Sequence, residues 1–403
     1  MIHVCFSLHD KTGRYSKFTG TTMLSLFENT TAEVTIHILH DNTLTADNRD
    51  KFIYLAERYA QSVKFYNVEE LCAEKLAEML RRIPFAKTSR LSVAALYRLL
   101  LSNILSAEIK KIIYLDSDIV VNMDINELWK IDLNGKIFAA VTETSNGIPI
   151  QNSAPLCLKG YVASEDYFNS GVLMMDLKIF RSEEKNLMRG VAFVGTSSEF
   201  YCLDQDVLNY LFAKNYLKLP EKFNAFVKSQ RYYKIDLTYG KIYHYTAMSL
   251  GFGLTLDMSD PFNRLWMNYF IKTPWFNIEV IERLYEGLLK IRDEQKKYVL
   301  NLTAIISGKK RAFIVADNGV RLLFENFFVQ EDEEVLVVSG EIPSQKIIDV
   351  MNASRGKKIF FFLFPDFPFN VLEDAGLVFG KDFLNCKEFL LDDFNSYQLL
   401  EVM

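Results

Sequence analysis

The sequence is poor in both cysteine and histidine, with five of each in 403 residues. The cysteines (Cys5, Cys72, Cys157, Cys202 and Cys386) are scattered, odd in number and never spaced C-x-x-C. That pattern suggests neither a disulfide framework nor a zinc site, and it suits a reducing cytoplasm. Long apolar runs are also missing. The most apolar stretch, IFFFLF (359–364), ends at Pro365, far below the ~18–20 residues that span a bilayer. The start, MIHVCFSLHD, lacks a basic cluster and a following apolar region, so it reads as a strand and not as a signal peptide. In that setting the NTT and NLT sequons carry no message. Positive charge is not in excess: 46 Lys and Arg against 51 Asp and Glu leave a net charge of −5. Nucleic-acid binders usually carry a strongly basic footprint, so that partner class is disfavoured.

What is present is a large apolar inventory, 49% of the chain, with 32 phenylalanines and 20 tyrosines. The length suggests about two to three domains. Strand-like and helix-like segments alternate from the start. HVCFSL is followed by the helical TMLSLFENT, the strand EVTIHILHD, the helical TADNRDKFIYLAERYA and the strand SVKFYNV. This alternation predicts a mostly parallel sheet with helices on its faces. TSRLSVAALYRLLLSNIL (88–105) predicts one helix, with Leu96, Leu99, Leu100, Asn103 and Ile104 along a stripe. It leads into IIYLDSDIVV (112–121), an apolar run broken by two carboxylates and read as a buried strand that ends in Asp-Ser-Asp. KIFAAVTE, GVLMMDL and KIYHY read as further strands, and LDQDVLNYLFAK (203–214) as a helix. A linker helix is expected over 276–300. The alternation then restarts (RAFIVAD, VRLLFENFF, EEVLVVSG, SQKIIDVMNAS, KKIFFFLF), predicting a second, smaller α/β unit over 301–403.

Some positions point to chemistry. Asp116 and Asp118 lie where a buried strand opens. Ligands of open α/β sheets bind beyond the carboxyl ends of strands, and two carboxylates there suit a hard divalent cation. The plain alternative is a pair of acids capping a turn. Arg98 shares a face with Ala94 and Ser102, able to serve a phosphate or a structural ion pair. Asn169, Ser170 and Gly171 precede GVLMMDL, where glycine permits close backbone approach; an ordinary turn explains them equally. Asp204, Gln205 and Asp206 open a helix, where acids are favoured by the dipole and by capping. His244 ends KIYHY, and a structural role suffices for it unless the fold brings it to Asp116 and Asp118.

Taken in this order, LYRLLL, IIYLDSDIVV with INELW, YFNSGVLMMDL, DQDVLN, IYHY and PFNRLWMNYFIKTPWF resemble the family 8 glycosyltransferases over about residues 2–275. That family includes bacterial lipopolysaccharide galactosyl- and glucosyltransferases and glycogenin. The resemblance implies a GT-A nucleotide-diphospho-sugar transferase fold over 1–275, with the small C-terminal Rossmann-like α/β domain as an addition. It implies transfer of a hexose, glucose or galactose, from a UDP-sugar to a glycan or lipid-linked acceptor, with retention. It implies Asp116, Asp118 and His244 as ligands of Mn2+ (or Mg2+). Gln205, Asp204 and Arg98 would act at the donor hexose. Ser7, His9, Asp10, Ser117, Asn169, Ser170, Gly171 and Gly251 would line the donor.

Two departures stand out. Relatives carry an acid after the first strand to help hold the nucleoside; here His9 occupies that place, and Asp10 is the nearest substitute. Relatives also follow the metal histidine with Gly-x-x-Lys-Pro-Trp, whereas this chain reads HYTAMSLGFGLTLDMSDP, without the lysine. Gly251 and Gly253 could offer backbone N–H groups to a diphosphate instead. The loss keeps open an inactive sugar-nucleotide-binding scaffold. A nucleotidyltransferase is the other alternative, although DKTGRY is a weak phosphate loop. VADNG, in the second unit, is far from a G-x-G-x-x-G fingerprint, so that unit is expected to bind a partner or serve structure. A lipid-linked acceptor would bring the chain to the inner membrane face as a peripheral protein.

Overall fold

The computed structural model describes residues 1–87, 93–145, 148–149, 154–200, 202–246, 260–277, 310–315, 334–337, 344–363, 369–379 and 381–385. The chain divides into two compact units, Met1–Asn277 and Ile278–Met403. The linker helix expected over 276–300 lies, beyond residue 277, outside the described residues, as do VRLLFENFF and the turn after RAFIV.

The first unit is built on seven strands. β1 (Ile2–Leu8), β2 (Val34–His40) and β3 (Ser62–Asn67) are joined by α1 (Arg14–Asn29) and α2 (Ala46–Arg58). After α3 (Ala73–Arg82) the chain returns to the other side of β1 as β4 (Lys111–Leu115). β5 (Ile119–Asn122) leaves this sheet, and β6 (Phe138–Ala140), β7 (Val172–Asp176) and, after α4 (Glu184–Val194) and α5 (Leu203–Phe212), β8 (Tyr216–Lys218) complete it. The order is β8-β6-β7-β4-β1-β2-β3. All pairs are parallel except those of β7, which runs against β4 and β6. β2 is buried at every position, as a strand covered on both faces should be. The core on one side joins Leu96, Tyr97, Leu99 and Leu100 to Val207, Leu208 and Phe212 of α5.

The direction of winding reverses between β1 and β4. Such a switch point opens a crevice at the carboxyl ends of the strands, here at His9, Asp10 and Asp116. A second, three-stranded sheet stands beside it. β9 (Ala225–Phe226) is parallel to β10 (Lys241–His244), which runs antiparallel to β5. α6 (Pro261–Phe270) follows, capped by Asp260, whose carboxylate accepts from the N–H groups of Phe262 and Asn263.

One expectation is extended and one corrected. The strand that ends in Asp-Ser-Asp is IIYL, in the large sheet, and IVVN after it belongs to the small one, so Asp-Ser-Asp is the corner between them. The helix expected over 88–105 is, where described, a 3₁₀ segment (Val93–Leu100) followed by one α turn (Leu101–Ile104). Its apolar residues recur at both three and four, and the tighter turn is compatible with Ala94, Leu96, Tyr97, Arg98, Leu99 and Leu100 all being buried.

In the second unit, β11 (Lys310–Val315), β12 (Glu334–Val337), β13 (Lys358–Leu363) and β14 (Phe383–Asn385) form a parallel sheet in the order β12-β11-β13-β14. α7 (Ser344–Ala353) packs Ile347, Ile348 and Met351 over Ala312, Ile314, Phe360 and Phe362. Among the described residues no helix is long and apolar enough to cross a membrane.

Candidate active site

The site is assembled where the two sheets of the first unit meet. Antiparallel register sets Leu115 opposite Val172, so the Asp116 N–H donates to the Gly171 carbonyl at 2.8 Å. In the small sheet His244 lies opposite Ile119, and the Tyr245 N–H donates to the Asp118 carbonyl at 2.9 Å. The backbone therefore delivers an imidazole from residue 244 to a corner formed by residues 116–118. One ligand atom from each of Asp116, Asp118 and His244 lies within 4.8 Å of the others. Gly171 leaves the room: a Cβ there would sit 2.4 Å from His244 Cε1 and 2.8 Å from Asp116 Oδ2.

Hydrogen bonds fix the imidazole. His244 Nδ1 is 2.9 Å from Asn224 Oδ1, and its Nε2 faces Asp118 Oδ1 at 3.3 Å. Burial opposes both charges, but each is outweighed by its partner. Asp118 is held below the usual carboxylate range, and His244 is lifted above the usual imidazole value. Two carboxylates and one oriented imidazole are hard or borderline donors that fit Mn2+ or Mg2+, and the amide behind the histidine is the kind of outer contact such ligands use.

Arg98, 5% exposed, ties the remaining groups together. Its guanidinium donates to Asp116 Oδ1 at 2.7 Å and to the Ser170 carbonyl at 2.7 Å. Its Nε is 3.0 Å from Asp204 Oδ2, an ion pair not aligned as a hydrogen bond. It also lies over the Tyr114 ring at 4.1 Å. Burial pushes Asp204 up to about 6 despite this arginine, which Asp204 shares with Asp116. Ser170 Oγ donates to Asp204 at 2.9 Å. Gln205 accepts from the Ser170 N–H at 2.9 Å and donates to the Tyr167 hydroxyl (3.2 Å) and to Glu143 (3.3 Å). Asn169 donates to Glu143 at 2.6 Å, and its carbonyl oxygen accepts from the Gly171 N–H and from Asn224 Nδ2.

The crevice at β1 holds the other candidates. Both oxygens of Asp10 are engaged, by the Tyr15 N–H on one side and by Ser16 and Asn48 on the other. His9 is held through Nδ1 by Asp41 Oδ2 at 2.5 Å, and Asp41 also accepts from Tyr97 and Thr43. These bonds outweigh burial and keep Asp41 below the usual carboxylate range. Ser7 lies beside the Tyr114 phenol. Ser117 Oγ is 2.8 Å from Thr19 Oγ1, tied to α1. Gly251 and Gly253 lie outside the described residues.

Sequence reasoning missed Glu143, Asn224, Tyr167 and Asp41. Glu143 and Asp41 carried a usable signal, an acid just beyond the carboxyl end of a strand, as at Asp116. Asn224 and Tyr167 carried none.

The family model described as "Glycosyl transferase family 8" matches residues 7–249. A lipopolysaccharide 1,2-glucosyltransferase of Escherichia coli is 26% identical over 303 residues, 70% of this chain and 81% of that protein. A lipopolysaccharide 1,3-galactosyltransferase of Salmonella typhimurium is 26% identical over 205 residues, 50% of this chain and 57% of that protein. Among solved structures, the galactosyltransferase LgtC in complex with donor and acceptor sugar analogs has a TM-score of 0.53 at 18% identity, covering 68% of this chain and 96% of its own. The bifunctional glycosyltransferase WbbM has a TM-score of 0.53 at 18% identity, with 68% of this chain covered and 50% of that one. At this identity the structural likeness concerns the fold, and that fold is GT-A.

Proposed function

The chain belongs to glycosyltransferase family 8, and we propose that it moves a hexose, glucose or galactose, from a UDP-sugar to a glycan acceptor, with retention of anomeric configuration. The acceptor class is lipopolysaccharide or another cell-surface polysaccharide, by the names of its relatives. The reaction belongs to the cytoplasm, with peripheral contact at the inner membrane face where the acceptor is lipid-linked. The observation that carries the reading is the meeting of Asp116, Asp118 and His244 within 4.8 Å at the switch point of the sheet.

Asp116, Asp118 and His244 would hold Mn2+ or Mg2+, which when bound supplies positive charge to the departing diphosphate. The chain's own residues do the rest. Arg98 fixes the Asp116 carboxylate and Asp204 in one cluster. Asp204 and Gln205 contact the donor hexose, with Asn169, Ser170 and Gly171 beside it. His9 and Ser7 line the nucleoside end, while Asp10 acts there by shaping the start of α1. The Gln205 side chain is a neutral amide with its donors and acceptor in use, a poor nucleophile. It offers polarity to charge that develops at the anomeric carbon. The acceptor hydroxyl then attacks from the face the diphosphate leaves: the new C–O bond forms as the C–O bond to phosphate breaks, and the hydroxyl proton passes to the departing phosphate oxygen. Trapping of a covalent sugar–enzyme adduct would refute that route.

The test is UDP release from a panel of UDP-hexoses with and without Mn2+, in the wild type and in Asp118→Asn. Release that depends on the cation and vanishes in the variant, with an unchanged melting temperature, is the expected result. Unchanged turnover in Asp118→Asn removes that residue from the ion site. Pyrophosphate release from a nucleoside triphosphate would replace the reading with a nucleotidyltransferase.

A further inference from the structure

Four neighbouring strands place a row of polar residues along one rim of the large sheet. The order β7-β4-β1-β2 sets Asn169–Gly171, Asp116, His9 and Asp41 in sequence across it, because β7 begins at Val172 while β4, β1 and β2 end at Leu115, Leu8 and His40. Leu8 is in register with His40, so His9 and Asp41 leave adjacent strands in step. Asp204 and Gln205 join the row at Ser170. A sugar nucleotide with its hexose at Gln205 and its diphosphate at Asp116 therefore carries its nucleoside toward His9 and Asp41.

The polarity of the His9–Asp41 pair follows from its neighbours. Asp41 is 3% exposed, and donors converge on its carboxylate. Oδ1 accepts from the Thr43 N–H at 3.0 Å and from the Thr43 hydroxyl at 2.5 Å. That hydroxyl accepts in turn from the Asp10 N–H at 2.6 Å, which leaves its own proton for Asp41. Oδ2 accepts from the Tyr97 hydroxyl at 2.9 Å and lies 2.5 Å from His9 Nδ1. An ionised carboxylate only accepts, so Nδ1 carries a proton. In the neutral ring the lone pair is then on Nε2. That nitrogen has no partner among the described residues and is not buried. With the His9 side chain 25% exposed, Nε2 opens on the crevice as a hydrogen-bond acceptor.

We propose that His9 reads the nucleobase of the donor, and that Asp41 is the positioning residue that makes it an acceptor, so that the site selects uracil over cytosine. This deepens the donor reading given above and rests on it. Uracil presents N3–H between two carbonyl groups and can donate to Nε2. Cytosine presents a bare N3, which would set one lone pair against another. An acid at position 9 would accept from uracil in any orientation. A histidine does so only in the tautomer that Asp41 imposes, so the discrimination is divided between two residues on two strands.

The experiment measures UDP and CDP binding to the full chain by calorimetry, with Mn2+ and at alkaline pH, where an imidazole is ordinarily neutral. The wild type should bind UDP about 10-fold more tightly than CDP. In Asp41→Asn the Thr43 N–H cannot reverse, so it keeps the amide oxygen at the Oδ1 place and turns the NH2 group to His9 Nδ1. The ring must then carry its proton on Nε2, and the preference should swing toward CDP. A merely structural role for Asp41 would weaken both nucleotides alike. His9→Phe keeps a ring without nitrogen at a partly exposed position and should bind the two about equally. Should Asp41→Asn fail to fold, 15N shifts of the wild-type His9 ring, assigned with His9→Phe, decide the tautomer: Nδ1–H is expected and Nε2–H overturns the proposal. Equal binding by the wild type, a preference that survives in His9→Phe, or one unchanged in Asp41→Asn overturns it alone. Failure of the wild type to bind either nucleotide overturns the donor reading and this proposal with it.

Discussion

Gly171→Ala adds a single methyl group at the point where the two sheets close on each other. That carbon would stand 2.4 Å from His244 Cε1, 2.8 Å from Asp116 Oδ2 and 2.9 Å from Asn169 Oδ1. Carbon atoms in contact need about 3.5–4.0 Å, so the imidazole would have to retreat by roughly 1 Å. It is not free to do so, because Asn224 holds its Nδ1 and the β5–β10 register holds its backbone. Asp116 is equally fixed, by Arg98 and by its own N–H. Gly171 is not in the left-handed region, so alanine itself is unstrained there and the whole effect is steric. Overpacking of this kind costs roughly 1–3 kcal/mol of stability, which for a unit of this size lowers the melting temperature by about 2–4 °C per kcal/mol. Function should suffer more, since a misplacement of about 1 Å costs on the order of 10²-fold. The assays are calorimetric Mn2+ affinity, UDP release and thermal melting. Gly160→Ala is the control: its φ of 73° makes alanine strained, but open space surrounds it, so stability should fall and ion affinity should not. Gly171→Ala with wild-type affinity and rate would refute the convergence of Asp116 and His244 on a common point.

The remaining predictions concern charge. Arg98→Lys offers one ammonium where the guanidinium serves Asp116, Asp204 and the Ser170 carbonyl; leaving one buried carboxylate unpaired should cost roughly 3–5 kcal/mol, read as a fall in melting temperature together with loss of turnover, and a variant that melts and turns over normally would contradict the cluster. His37, fully buried between His3 and Tyr66, is held neutral by burial, its pKa pushed down to about 3. Because the unfolded chain takes up a proton near 6.5 and the folded chain does not, the contribution is complete above that pH and is lost as pH falls toward 3. Between pH 7 and pH 5 this amounts to roughly 2 kcal/mol, so chemical denaturation should show a flatter pH dependence in His37→Gln; parallel profiles would refute it.

Much of the fold was legible in the sequence because burial on both faces writes itself plainly into a strand. VTIHILH, KIIYL and VLMMD could hardly be anything but interior strands of an α/β sheet. The alternation with helices then dictated that most of them run parallel. What the run IIYLDSDIVV did not reveal is that its two apolar halves belong to different sheets. Both halves are buried, and hydrophobicity reports burial without saying against which neighbour. The 3₁₀ turn at Val93–Leu100 was hidden for a similar reason: apolar residues at three and at four are present together, and tertiary packing chose between them.

The candidate site divides along a different line. Asp116 and Asp118 stood out because two carboxylates at the end of a buried apolar run are conspicuous, whereas Arg98, Asp204 and Gln205 had adequate local explanations and gained a role at the site only through family resemblance. His244 could be connected to them only through family resemblance, since nothing local to KIYHY says which strand it pairs with; the register against β5 supplies that. Glu143 and Asn224 show the limit more sharply. Their place is relational: an ordinary glutamate and an ordinary asparagine are joined only because Asn169 stands between them, with its amide oriented by the Gly171 N–H. Hydrogen-bond polarity is a property of a closed network, and no window of sequence contains one. The same reasoning explains why Asp10, the residue that looked most like a nucleoside contact, has its carboxylate occupied by the start of α1, while His9 is the side chain that a buried acid, Asp41, holds in a single orientation.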